Sequence, residues 1–160
     1  MKEVTILFSI TSCSEDVLKL GLTPSKKVVV SELVDANVKR AKALEITTSD
    51  NVYMIGRILY ADKEPLNYTL TFSCRKRFFP GLSKYDLKKE SLYQIITEVY
   101  GVKITKARRT IEAIGAQDEI AEYLDIEEGT PIILFRCITY GIVNGREIPI
   151  ENFKVLLSNR

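Results

Sequence analysis

Two stretches of this chain carry the same ordered pattern of small and apolar residues at one constant offset, which restricts the folds open to it. Glu32-Leu33-Val34-Asp35-Ala36 aligns with Glu112-Ala113-Ile114-Gly115-Ala116. At that offset Ala36, Ala41, Leu44, Ile46 and Val52 match Ala116, Ala121, Leu124, Ile126 and Ile132. Gly21-Leu22 matches Gly101-Val102 upstream, and Tyr60 matches Tyr140 downstream. Chance supplies two or three such matches, not a whole ordered series. The chain is therefore read as two copies of one half.

Each half reads the same way. A helix over Ser14–Leu20, and again over Ser91–Tyr100, ends at Gly21 or Gly101, where a left-handed backbone costs little only for glycine. A strand follows, Lys27–Leu33 and then Ile104–Ile114. Next comes a helix with apolar residues at helical spacing, Ala36–Leu44 and then Ala116–Leu124. A hairpin closes each half. Asn51–Tyr60 and Leu66–Cys74 turn through Ala61-Asp62-Lys63-Glu64; Thr130–Tyr140 and Ile148–Leu156 are joined through Gly141–Glu147, with Asn144-Gly145 as the turn signal. Hairpins rich in β-branched residues favour an α+β fold, an antiparallel sheet flanked by helices. The run Val4–Ile10 is read as an edge strand or a linker.

Composition removes several function classes. The chain has 160 residues, 46% apolar and 28% charged, which fits one domain able to bury a core. Net charge is +2 with the signs interspersed, against a surface dedicated to nucleic acid. The densest basic stretch, Arg75-Lys76-Arg77-Phe78-Phe79, reads as a solvated loop anchored by two aromatics. Three cysteines without short spacing and no histidine argue against a zinc site or a disulfide framework. Cys13, Cys74 and Cys137 read as free thiols in a reducing cytoplasm. No signal peptide or membrane anchor is recognised. No histidine means no histidine-based triad, and no glycine-rich phosphate loop is present. The carboxylate pairs Asp118-Glu119 and Glu127-Glu128 read as solvated surface. Neither a cofactor nor a metal is expected.

What remains suits an anion. Ser14 and Ser91 each begin a helix, where unpaired N–H groups bind phosphate or carboxylate; plain N-capping, worth about 1 kcal/mol, is the bland alternative. Arg57 is an isolated charge in the apolar strand Val52–Tyr60, on the solvent face or in a site. A guanidinium suits bidentate capture of phosphate or carboxylate. Glu151, in Ile148-Pro149-Ile150-Glu151-Asn152, poses the same choice on the last strand, and its carboxylate could accept from ligand hydroxyl or amino groups.

Taken together these residues resemble a known family. The pieces are Leu20-Gly21-Leu22-Thr23-Pro24-Ser25, the Ala41-x-x-Leu44 helix, and Arg57 followed by Ala61-Asp62-Lys63-Glu64-Pro65-Leu66. Phe79-Pro80-Gly81-Leu82, Ser91-Leu92-Tyr93, the Ala121-x-x-Leu124 helix and Glu147-Ile148-Pro149-Ile150-Glu151 complete the series. In order and spacing they resemble the UTRA effector-binding domain of HutC-type GntR transcription regulators, which shares its fold with chorismate lyase. The resemblance runs from about Ser14 to Arg160.

The resemblance implies a chorismate lyase-like sheet, a small-molecule pocket and a homodimer. It implies an effector site at Ser14, Arg57, Ser91, Tyr93 and Glu151, with Thr69 where relatives carry an acid after the DGEP-like turn. Leu59 replaces the second arginine of the relatives' Arg-x-Arg pair, and Cys13 replaces an aromatic. The resemblance implies a phosphorylated sugar or another small anionic metabolite as effector; one arginine fewer weakens the case for a full phosphate and leaves a less charged effector open. Residues 1–13 are expected to be a linker or edge segment and 14–160 the effector domain, with DNA binding in a winged helix-turn-helix outside this chain. The alternatives are an enzyme related to chorismate lyase, using the same arginine and glutamate on a dicarboxylate, and a purely structural dimerisation module.

Overall fold

Each half enters its first long strand through a glycine in the left-handed region, Gly21 at φ 76° and Gly101 at φ 65°. The N–H groups of Gly21 and Leu22 donate to Leu18 and Val17, closing a helical turn at 17–19. Those of Tyr100 and Val102 donate to Ile95 and Ile96, closing the π-type turn Ile95–Val99. The computed structural model describes residues 2–3, 17–73, 78–86, 90 and 94–158. The expected helix starts at 14–16 and 91–93, the run 4–10, and Cys13, Cys74 and Arg75-Lys76-Arg77 lie outside the described residues.

The elements are β1 (Lys2–Glu3), β2 (Pro24–Asp35), α1 (Val38–Leu44), β3 (Asn51–Ala61), β4 (Glu64–Ser73), β5 (Lys103–Gly115), α2 (Asp118–Tyr123), β6 (Pro131–Val143) and β7 (Arg146–Leu157). The strands form one antiparallel sheet in the order β1-β5-β6-β7-β4-β3-β2. Thus β2-β3-β4 and β5-β6-β7 are antiparallel trios, each with a helix between its first two strands and a hairpin between its last two, joined edge to edge at β4 and β7. The α+β class and the antiparallel sheet are as the sequence leads one to expect.

Local geometry recurs at the offset that relates Ala36 to Ala116. Ala36 N–H donates to Asp50 O at 2.9 Å and Ala116 N–H to Thr130 O at 2.8 Å. Ile46 N–H donates to Ala41 O and Ile126 N–H to Ala121 O, folding each chain back after its helix. Register shifts between Leu59 and Tyr60 and between Thr139 and Tyr140 bulge both trios at corresponding points. Asn37 caps α1, its side-chain oxygen accepting from Arg40 N–H at 2.8 Å.

The second hairpin differs from expectation. In place of a loop over Gly141–Glu147, β6 runs to Val143 and β7 resumes at Arg146. The β-branched Ile142 and Val143 pair with Glu147 and Arg146, leaving Asn144-Gly145 alone as the turn. Both carry positive φ, 52° and 75°, as a two-residue type I′ turn requires.

Cross-strand partners point to the same face of a sheet. One face is covered by the helices: Ala41 and Leu44 of α1 pack on Val52 and Phe72, and Ala121 with Leu124 packs on Ile58, Tyr68, Leu134 and Leu156. The other face is covered at one end by Phe79, Leu82, Ile95 and Ile96, against Tyr53 and Ile55.

Gly56 sits in β3 where neighbouring side chains leave no room for a methyl group. A Cβ there would lie 2.6 Å from Val30 Cγ1 and 2.8 Å from the Tyr68 hydroxyl. Gly56→Ala is therefore expected to destabilise the domain by about 1–3 kcal/mol through overpacking. Chemical denaturation measures this directly, and an unchanged midpoint would mean that Val30 and Tyr68 can give way freely.

Candidate functional site

Strand β4 alternates Asn67, Tyr68, Thr69, Leu70, Thr71, Phe72 and Ser73. Tyr68, Leu70 and Phe72 pack under the helices. The intervening residues place a column of four polar side chains on the opposite face of a central strand. Asn67, Thr71 and Ser73 are buried there.

The register shows what meets this column. Arg57 on β3 is the Cα partner of Thr69. Ser73 is partnered by Tyr53 on β3 and by Glu151 on β7, and Glu151 in turn by Thr139 on β6. The row between holds Ile55, Thr71, Phe153, Cys137 and Arg109. Arg57, Thr69 and Glu151 therefore share one face. Glu151, left open by sequence between a surface and a site, is only 8% exposed. Ser14, Ser91 and Tyr93 lie outside the described residues.

The buried carboxyl is held by few groups. Thr139 Oγ1 donates to Glu151 Oε1 at 3.3 Å. Burial pushes the Glu151 carboxyl above the ordinary glutamate value, while the Thr139 hydroxyl and the Arg57 charge pull it back. Burial likewise raises the Cys137 thiol, against the hydroxyl of Thr139, 3.8 Å away, and the guanidinium of Arg109. Thr69 donates to Asn67 Oδ1 at 3.3 Å. Among the described residues Asn67 Nδ2 and Ser73 Oγ have no hydrogen-bond partner, so each could bond to a ligand.

Beside the column lies a cavity of about 470 Å³, between β2, β3 and the turn at 82–86. Val28, Ser31, Tyr53, Ile55, Leu82 and Tyr85 are among the residues that line it, together with the acids Glu32 and Asp86. Val28 is the Cα partner of Arg57, and Ile55 lies on the same face one step along β3, so two of the lining residues neighbour Arg57 in the sheet, although Arg57 itself does not line the cavity. Its size and mixed lining suit a small metabolite. No group of metal-ligating side chains occurs among the described residues.

Sequence reading missed Asn67, Thr71, Ser73, Arg109 and Thr139. The strict polar–apolar alternation of β4 was the available signal for the first three, because it demands that one face of a buried strand be polar. Arg109 and Thr139 are placed by register alone.

The raised carboxyl has a consequence for stability. A group whose pKa is higher in the folded protein stabilises it fully below its unfolded value, about 4.3 for glutamate, and that stabilisation is lost as pH rises through the folded value. Glu151→Gln, which removes the ionisation, is therefore expected to raise the thermal midpoint at pH 7. The advantage shrinks as pH falls and closes below about pH 4. Equal midpoints for the two proteins across that range would show that Glu151 is adequately solvated or paired.

Comparison with known proteins places this geometry. The UTRA domain model matches residues 19–143. An HTH-type transcriptional regulator of Bacillus subtilis (strain 168), YurK, is 28% identical over 123 residues, 77% of this chain and 50% of the relative. The probable fructoselysine utilization operon transcriptional repressor of Shigella flexneri is 24% identical over 134 residues, 84% of this chain and 54% of the relative. The chain thus spans about half the length of these relatives. In three dimensions the effector domain of PhnF from Mycobacterium smegmatis superposes with a TM-score of 0.85 at 22% identity, covering 95% of this chain and 91% of that one. With the family model matched over most of its length, and its sheet shared with an effector domain, the chain belongs to the UTRA domain family.

Proposed function

We propose that this domain binds a small anionic metabolite, a sugar phosphate or a close analogue, and thereby controls a bacterial transcription regulator of the GntR/HutC type. The observation that carries the reading is the meeting of Arg57, Thr69 and buried Glu151 on one sheet face, beside a cavity of about 470 Å³. Arg57 supplies a fork of donors for phosphate or carboxylate oxygens. Glu151, Thr139 and Ser73 supply acceptors and hydroxyls suited to the hydroxyl or amino groups of a sugar. Arg109 places a second cation on the same face, four strands across the sheet from Arg57. The repressor function of a relative, named for a sugar–amine conjugate, supports the same class.

The protein works as a sensor, not as an enzyme, in the cytoplasm and as a homodimer. DNA recognition belongs to a winged helix-turn-helix outside these residues. The effector acts only through its different affinity for two arrangements of the dimer.

The test is a thermal-shift screen of phosphosugars, sugars, amino sugars and small carboxylates, repeated on Arg57→Ala. A sugar phosphate is expected to stabilise the wild-type chain. Losing a charge-assisted pair costs about 2 kcal/mol or more, so Arg57→Ala is expected to weaken binding roughly 30-fold or more. A sugar phosphate bound equally well by both proteins would place the anion away from Arg57 and overturn the assignment. Conversion of chorismate to 4-hydroxybenzoate would favour the enzyme instead.

A further inference from the structure

The helix face carries an arrangement that effector binding on the opposite face leaves unexplained. Arg136 on β6 and Lys154 on β7 are direct cross-strand partners. Like charges placed opposite one another destabilise a sheet, and here both lie on the half-buried middle of central strands. Two more cations come from α1, which lies over β7. Arg40 stacks its guanidinium 3.8 Å above the Phe72 ring, on the strand next to β7. Lys39 precedes it. Arg136 is paired with Glu112 of β5, and that is the one acid joined to these four cations among the described residues. Burial, then the charges of Arg136, Lys39 and Arg40, push the Lys154 ammonium below its usual value. Leu70, the Cα partner of Lys154 on β4, offers it no counter-charge.

Such repulsion at the centre of a sheet is relieved by an anion between the cations. A guanidinium held flat on an aromatic ring keeps its N–H donors in one plane at its edge, which suits two oxygens of one oxyanion. Four cations against one carboxylate favour a doubly charged oxyanion over a single carboxylate. We infer that Lys39, Arg40, Arg136 and Lys154 form a second anion site, on the face opposite Arg57, that takes a phosphate group. The group comes either from a free phosphate compound or from the phosphodiester backbone of nucleic acid.

Inorganic phosphate and duplex DNA of arbitrary sequence are the probes. The thermal midpoint of the full chain is compared in phosphate and in chloride at matched ionic strength. Phosphate is expected to raise it by about 5 °C or more once it exceeds its dissociation constant a hundredfold. The shift is expected to vanish in Lys154→Gln and Arg40→Gln, and to persist in Arg57→Ala. That pattern separates this site from the effector site, whose sugar-phosphate response Lys154→Gln leaves intact. Fluorescence anisotropy then assigns the source. Duplex binding that Lys154→Gln weakens points to the nucleic-acid backbone, and a phosphate shift without duplex binding points to a free phosphate compound. Should the variants fail to fold, phosphate titration of the wild-type chain by amide NMR is expected to move Arg40, Arg136 and Lys154. Equal midpoints in phosphate and chloride without duplex binding, a shift that survives Lys154→Gln, or NMR changes confined to the Arg57 face would each overturn the site.

Discussion

The junction of β4 with β7 governs the rest of the molecule. It joins the two strand trios, and at one end of it Phe72 faces Asn152 while Ser73 faces Glu151. Strand β4 is buried on both faces, yet only one is apolar. Tyr68, Leu70 and Phe72 supply the packing area that holds the helices, while Asn67, Thr69, Thr71 and Ser73 present hydroxyls and an amide to the other side. A polar group taken from water without a partner costs free energy, so an all-polar face in the middle of a sheet must be offset elsewhere. Here the apolar helix face offsets it. Leu44, Leu124, Ile132 and Val52 are almost entirely removed from water, each at roughly 1.5–3 kcal/mol of burial.

That division of labour also explains how Glu151 survives beside Ser73. A buried carboxylate is tolerated when a hydroxyl and a cation attend it, and Thr139 and Arg57 do so from β6 and β3. The partners come from both sides of β7, so the environment of Glu151 depends on the register of both trios at once. A slip of one residue in either trio would turn Arg57 or Thr139 to the wrong face. The bulges at Leu59/Tyr60 and Thr139/Tyr140 fall close to these residues, where a bulge re-aims a side chain.

Most of the fold was legible because its signals are local. Gly21 and Gly101 mark helix ends through backbone conformation, Asn144-Gly145 marks a turn, and the alanine–leucine helices carry their own periodicity. The strands were legible by their β-branched runs, though they proved longer, since pairing extends a strand past the last residue that favours it. Of the site, Arg57 and Glu151 stood out as charges within apolar strands. Thr139 and Arg109 did not, because only the pairing of β6 with β7 and β5 brings them to that face, and pairing across the sheet is a tertiary fact. Lys154 and Arg136 were hidden for the same reason: seventeen residues of intervening chain make them look like two ordinary surface charges.

A ligand held between Arg57 and Glu151 would tie β3 to β7, strands that belong to different trios. The gain from that contact depends on the setting of one trio against the other, because the two side chains approach from opposite sides of β4. A small rotation at the β4–β7 junction changes the separation of Arg57 and Glu151 and leaves each trio's own hairpins untouched. Any two arrangements of the sheet that differ by such a rotation would therefore bind the ligand unequally. Unequal binding is the one property an effector needs in order to shift a population. It is also why the polar groups are worth their cost on a central strand: placed on β2 or β5, at the rim of a trio, the same arginine and glutamate could hold a ligand without sensing how the halves are set.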